Sequence, residues 1–178
     1  MLMCDIIKIS FYLRKGISMQ IRKAAISDLK DILSIYAYAR SFMREHGNAA
    51  QWAGGYPKEE ILKDDIEKQK LHLLTEGEKK LAVFYCAIEE DPCYKVINGA
   101  WINDEPYCVV HRIASAKGTK GAATFCLNWA FEKLGHLRID THEDNIPMQN
   151  LLKKLGFTRC GIVWMQDGTE RIAFEKVR

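Results

Sequence analysis

Residues 107–124 read YCVVHRIASAKGTKGAAT. The opening part, Tyr107 to Ala114, is apolar and rich in Val and Ile, which suits a buried strand. Ala122 to Leu134 (AATFCLNWAFEKL) has helical spacing, with Phe125, Trp129 and Ala122 turned inward. Between them, Ser115 to Gly121 (SAKGTKG) carries the chain directly from strand to helix. Such a glycine-bearing loop is a ready anion site, because free N–H groups and the helix dipole converge at the helix N-terminus. It is not a nucleotide P-loop, since no Gly-Lys-Ser/Thr follows four residues after a glycine, and no G-x-G-x-x-G is present. Alone the loop is a weak signal, because glycine also sits in such turns for steric reasons.

Working outward, both flanks alternate helix and strand. Gln20 to Lys23 predicts a first strand. Ser27 predicts an N-cap for a helix running to about His46, with Leu29, Ile32, Leu33 and Tyr36 at helical spacing. Gly47 to Pro57 (GNAAQWAGGYP) is a loop, and Lys58 to Gln69 a second helix with Ile61, Leu62 and Ile66 on one face. Leu71–Thr75 and Leu81–Ile88 form a hairpin through Glu76-Gly77-Glu78. Beyond the central stretch, His136–Thr141 is a strand and Pro147–Leu155 a helix stopped by Gly156. Phe157–Met165 and Glu170–Lys176 are strands turned at Asp167-Gly168. The order β-α-α-β-β-β-α-β-α-β-β predicts an α/β domain over residues 19–178.

Composition narrows the function classes. At 178 residues the chain is the length of one domain, or of one domain with an appendage. Lys+Arg 26 against Asp+Glu 23 leaves a net charge of +3, and the two signs are interspersed, so nucleic acid is not an expected partner. A 48% hydrophobic and 28% charged composition argues against disorder. No apolar run approaches the roughly 18–20 residues of a membrane span, so no membrane partner is expected. The six cysteines (4, 86, 93, 108, 126 and 160) include no C-x-x-C pair. They read as small buried hydrophobes of a cytoplasmic protein, and no metal is expected. Met1 to Ser18 carries Arg14 and Lys15 after its apolar residues, the reverse of a secretory signal. We expect it to be an extension ahead of a native start at Met19; the competing reading is a helix or strand docked on the domain.

Three stretches together resemble the GNAT superfamily of acyl-CoA-dependent N-acyltransferases, in its bacterial branch, from about Met19 to Lys176. Val110-His111-Arg112-Ile113-Ala114 followed by Lys120-Gly121-Ala122-Ala123 is similar to the family's strand and pyrophosphate loop. Asn145 to Phe157 (NIPMQNLLKKLGF) is similar to its N-x-x-A-x-x-L-Y-x-K-x-G-F helix. Gln51 to Pro57 (QWAGGYP) looks like a substrate-side loop. Two departures stand out. Gly118 occupies a position where Arg or Gln is usual, in a shortened loop, and Leu152 replaces the tyrosine that often protonates the departing thiolate.

The resemblance implies one mixed, mostly antiparallel sheet with a splayed parallel pair and helices on both faces. It implies acetyl-CoA as cosubstrate in the cleft opened by the splay. The pantetheine arm would pair with backbone at Ile113 and Ser115, and with Asn145. Amides of Gly118, Thr119, Lys120, Gly121, Ala122, Ala123 and Thr124 would cradle the pyrophosphate; Asn150 and Leu152 join the cofactor-side set. A strand N–H near Arg112–Ile113 would stabilise the oxyanion. The expected reaction is direct acetyl transfer to a primary amine of a small molecule or peptide. His111 is the candidate base, its reference pKa near 6.5 suiting the task; a strand histidine bonded to a neighbour would look the same. Trp52 and Tyr56, with Trp101, would wall the acceptor site, and Asp104 and Glu105 would hold the cationic amine; core aromatics and solvated loop charges are the alternatives. His142, Glu143 and Asp144 read as loop polarity ahead of Pro147. A non-catalytic CoA-binding sensor is the rival function, a nucleic-acid module a distant third, and the sequence does not decide between monomer and homodimer.

Overall fold

The computed structural model describes residues 18–178, so the reading of residues 1–17 and Cys4 lies outside the described residues. The elements are β1 (Met19–Lys23), α1 (Leu29–Glu45), α2 (Glu59–Glu67), β2 (Leu71–Glu76), β3 (Lys79–Ile88), β4 (Ile97–Gly99), β5 (Cys108–Ser115), α3 (Ala122–Leu134), β6 (His136–Thr141), α4 (Ile146–Lys154), β7 (Thr158–Trp164) and β8 (Glu170–Val177). The strands form one sheet in the order β1-β2-β3-β5-β6-β8-β7-β4. Among the described strands only β5 and β6 run parallel; the other neighbours are antiparallel.

Alternation along the strands feeds two cores, one on each face of the sheet. In β5, Cys108 and Val110 pack into the core shared with α3 and α4, while Val109 packs into the core shared with α1 and α2. Cys86, Cys108 and Cys126 are buried thiols, and the sulfurs of Cys86 and Cys108 lie 3.0 Å apart. Glu175 on β8 is fully buried and still ionic. Burial opposes its charge, but the Ile102 N–H, Arg138 Nε (2.8 Å) and His136 Nε2 (2.6 Å) bond it and hold the carboxyl below its usual range. That bonding ties the 100–105 loop to β6 and β8.

Two irregularities of β5 shape the molecule. Its pairing with β6 covers only Cys108↔Leu137 and Val109↔Arg138, after which the strands part. Its register with β3 shifts between Val83 and Tyr85, so that Arg112 and Ile113 face the single residue Phe84. This is a β-bulge, and Arg112 takes the left-handed conformation at φ 51°.

Two local readings are corrected. Ser27 is exposed and caps nothing: a turn over Ile26–Asp28 precedes α1, and the Asp28 carboxylate accepts from Ala25 N–H (2.9 Å) and from Arg22 (2.7 and 2.8 Å). The aspartate outcompetes the serine because it gains a charge-assisted pair. The three-residue β4, paired with β7, is too short to leave a periodic signature. Gly99 and Gly161 meet there so closely that a Cβ on either would overlap the other strand's backbone.

His72 on β2 is buried, stacked on Phe84 with ring centroids 5.2 Å apart, and bonded through Nδ1 to the Lys70 carbonyl at 3.0 Å. Burial, with help from Lys23, pushes its pKa from 6.5 to about 4. The folded value lies below the unfolded one, so the neutral ring contributes stability above pH 6.5 that is lost as pH falls toward 4. Urea midpoints measured from pH 7 to 5 should fall for the wild type and flatten for His72→Gln. An equal slope in both would remove His72 from the account.

Candidate active site

The fork between β5 and β6 opens into a cavity of about 1360 Å³. One end is built for an anion. Gly118 and Gly121 both adopt left-handed φ (78° and 75°), and Gly121 caps α3 without any side-chain bond. The first N–H bonded across the start of α3 is that of Phe125, to Gly121 O (3.0 Å). The amides of Gly121, Ala122, Ala123 and Thr124 therefore have no bonded partner among the described residues, and they stand at the positive end of the helix dipole. Lys120 is exposed and lines the same end. Thr119 departs from expectation. Its N–H donates to Ala116 O (3.2 Å) and its hydroxyl to Ala116 O (2.6 Å) and Leu81 O (3.2 Å), so it shapes the loop and its amide is spent. The Ala122 side chain is in the core, leaving only its backbone for a ligand. Ile113, Ser115, Gly118 and Ala123 line the cavity.

Helix α4 forms the facing wall, one residue out of the expected register. Met148 and Leu151 line the cavity, whereas Leu152 is fully buried in the core against the sheet. Leu151 and Leu152 lie about 100° apart on opposite sides of Met148, Leu151 turned to the cavity and Leu152, about 40° from Met148, to the sheet. Leu152 is thus a core residue, and Asn150 is exposed and away from the cavity. Asn145 lines it as the cap of α4: Oδ1 accepts from Met148 N–H (3.3 Å), and Nδ2 donates to Gln51 Oε1 (2.9 Å).

The other end is acidic around His111. Nε2 of His111 lies 2.7 Å from Asp91 Oδ2, and Nδ1 lies 3.6 Å from Asp140 Oδ1, which accepts from Tyr94 OH at 2.7 Å. Burial works against the Asp91 charge, but His111 and the Cys93 N–H outweigh it and hold the carboxyl below its usual range. Glu89 binds Lys70 and the Tyr85 hydroxyl. Arg112 reaches back beneath the cavity, donating to Asp65 (2.6 Å) and to Tyr56 OH (3.2 Å), with its guanidinium 4.8 Å from the Tyr85 ring centre. Burial raises the Asp65 carboxyl in spite of that arginine.

Trp52 and Tyr56 line the cavity as expected, Trp52 meeting Tyr36 edge-on at 5.6 Å. Asp104 and Glu105 do not: they are exposed in the loop before β5, at the end of that strand opposite Ser115, and cannot hold an amine in the fork. Trp101 packs under Arg138 (4.2 Å) and donates to Tyr94 O (3.0 Å), also outside the cavity. The residues that do surround His111, Asp91 and Asp140, were missed. Asp91 belongs to a connecting loop, and Asp140 alternates with apolar residues in β6; neither has a local sequence signal. Among the described residues no group of three or more His, Cys, Asp or Glu could hold a metal ion. No helix among them is long and apolar enough to cross a membrane.

This architecture recurs in solved structures. A GNAT-family acetyltransferase from Streptococcus agalactiae 2603 is 31% identical, with TM-score 0.82 over 90% of this chain and 95% of that one. GNAT-family acetyltransferases from Bacillus cereus ATCC 10987 (19% identity, TM-score 0.59, 90% of this chain, 98% of that one) and Listeria monocytogenes 4b F2365 (16%, 0.68, 93% and 98%) share the fold. No family model and no curated protein matches the chain. The chain belongs to the GNAT family of acetyltransferases. It is an acyltransferase enzyme.

The corrected α4 register has a measurable consequence. Leu152→Ala should lower the unfolding free energy by about 2–5 kcal/mol, the range for a buried leucine. Leu151→Ala, on the cavity side, should cost less than half as much. Urea denaturation of both variants checks this, and the reverse order would restore Leu152 to the cavity.

Proposed function

We propose that this enzyme moves the acetyl group of acetyl-CoA directly to a primary amine, with His111 as general base. The observation that carries this reading is the opposite character of the two ends of one cavity. Lys120 and Ala123, whose amide is unbonded, line one end, and carboxylates surround an imidazole at the other. The first end suits a pyrophosphate, and the fork beside Ile113 and Ser115 leaves strand edge for a pantetheine arm. The cosubstrate supplies an activated thioester; the chain's own residues do the rest.

Asp91 accepting from Nε2–H leaves the lone pair of His111 on Nδ1, facing Asp140. An acceptor ammonium would be held by Asp140, already oriented by Tyr94 OH, and would lose its proton to Nδ1. The freed amine attacks the thioester carbonyl, forming the C–N bond as the C–S bond breaks, and the second proton of the attacking nitrogen passes to the departing thiolate, giving the amide and free thiol. Backbone at the Arg112–Ile113 bulge is the source of an N–H for the charge developing on the carbonyl oxygen. The leaving thiolate has an ordinary pKa of about 8.5 and needs little help from an acid, so a leucine at 152, buried in the core, is no handicap. Cys93 is the cysteine lining the cavity; burial and the neighbouring Asp91 push its thiol up, which disfavours a relay through a cysteine thiolate.

His111→Ala should lower kcat/KM by about 10²–10⁴-fold, with partial recovery at alkaline pH as free amine accumulates. Steady-state thiol release across a panel of amines, with product mass, measures it. A folded variant within threefold of wild type would leave His111 a structural histidine, and no turnover by wild type on any amine would favour a CoA-binding sensor.

Acetyl-CoA should raise the melting temperature of the wild type, because ligand binds only the native loop. Lys120→Glu, a reversal at an exposed side chain, should weaken acetyl-CoA binding about tenfold, equivalent to roughly 1.4 kcal/mol. Unchanged protection in the variant would move the pyrophosphate away from this loop.

A further inference from the structure

The acidic end of the cavity also holds a cation that the transfer step leaves unused. Arg171 on β8 lines it and is only 9% exposed. Alternation puts its side chain on the α1/α2 face of the sheet, because Ala173, two residues on, packs into that core and pairs with Asp140 of β6. His111 shares the face with Val109, which packs into the same core. The neighbouring strands β5, β6 and β8 therefore present an imidazole, a carboxylate and a guanidinium side by side.

The guanidinium is a fork of N–H donors, and little of it is spent. Nη1 donates to the Glu170 carbonyl at 2.8 Å. Nε stands 4.0 Å from Asp140 Oδ2, an ion pair too long to be a hydrogen bond. Nη2 has no acceptor among the described residues. These N–H groups are not sealed in: no Arg171 nitrogen is among the enclosed, unpaired side-chain atoms, so they open on the cavity that the residue lines. Nearby carboxylates are already engaged, Glu89 by Lys70 and Tyr85, Asp91 by His111 and the Cys93 N–H, and Asp167 by Thr169. A charge this deeply buried is costly until an anion meets it.

We propose that the acceptor is a free α-amino acid, its carboxylate bonded to Arg171 and its ammonium to Asp140 beside His111. This names the class of amine and rests on the acetyl-transfer reading above. Arginine suits a carboxylate because its planar fork can bond both oxygens. The spacing comes from Asp140, whose Oδ1 faces His111 Nδ1 at 3.6 Å while Oδ2 faces Arg171 at 4.0 Å. One carboxylate spans the imidazole and the guanidinium, so the amine and acid of the acceptor must be close together, as they are on a single α carbon. A polyamine would bring a second ammonium against the guanidinium and be repelled. A peptide N-terminus would offer it only a neutral carbonyl. The product is the N-acetyl amino acid, and CoA leaves as the thiol.

The test compares, on one enzyme, each common L-α-amino acid with its own α-carboxamide, which keeps the amine and removes the negative charge. Thiol release from acetyl-CoA gives kcat/KM. Calorimetric titration into enzyme saturated with CoA, which carries no acetyl group, gives binding without turnover. The preferred amino acid should exceed its carboxamide at least about tenfold in both, the size of one lost charged hydrogen bond. Arg171→Gln should bring that ratio close to one, and Arg171→Lys should keep part of it, since a point charge remains without the fork. Amino acids that bind but are not acetylated would overturn the transfer reading and leave the Arg171 site standing. Turnover that ignores the carboxylate, or favours the carboxamide, overturns the Arg171 site and leaves transfer to an amine intact. The proposal also falls if no amino acid binds, or if a folded Arg171→Gln enzyme keeps the wild-type ratio. Should that variant not fold, the wild-type ratio and Arg171→Lys decide.

Discussion

Strand β5 stays with β6 for two residue pairs and then leaves it, and the cavity exists because of that parting. A sheet broken at this point would expose unpaired backbone on both strands. The bulge at Arg112–Ile113 absorbs the bend, and Arg112 is pinned in its left-handed conformation from both sides. Tyr36 OH holds its carbonyl at 2.8 Å, and Asp65 and Tyr56 hold its guanidinium. Residues of α1, α2 and the 48–56 loop are thereby committed to keeping one strand bent.

The same bend sorts the charges. Beyond the fork, β5 runs into the glycine loop and the uncapped start of α3, where positive potential gathers. Just ahead of the bulge, β5 carries His111 to a loop carboxylate, Asp91, and a strand carboxylate, Asp140. At the far end of β5 the buried Glu175 holds the 100–105 loop through Ile102 N–H, while Arg138 covers Trp101 and Tyr107. The acidic side chains of that loop, Asp104 and Glu105, are left in solvent, which is why they take no part in the fork.

Where a single element sets its own pattern, the chain could be read directly. The bounds of α3 and β6 match their apolar periodicity, and the Glu76–Lys79 turn follows its glycine. The loop of Gly118 and Gly121 reads as an anion site because its glycines lead into a helix N-terminus, and both glycines take positive φ in the structure. Helix α4 was read correctly as a helix but not in rotation, since Met148, Leu151, Leu152 and Leu155 are all apolar and only the sheet decides which face it takes. Ser27 lost the cap to Asp28 because Arg22, on another element, favours the carboxylate.

The sequence alone therefore determined the order of elements, the glycine loop before α3, the position of His111 on β5 and the family resemblance, all of which rest on neighbours along the chain. Tertiary structure decided what surrounds His111. Asp91 comes from a loop 20 residues away and Asp140 from the adjacent strand, and they meet the imidazole only because β5 and β6 start together before they part. It also decided which leucine of α4 lines the cavity and which amides of the loop remain free. Periodicity records that a residue is apolar or that a turn needs glycine; it carries no record of the partner brought by a distant strand.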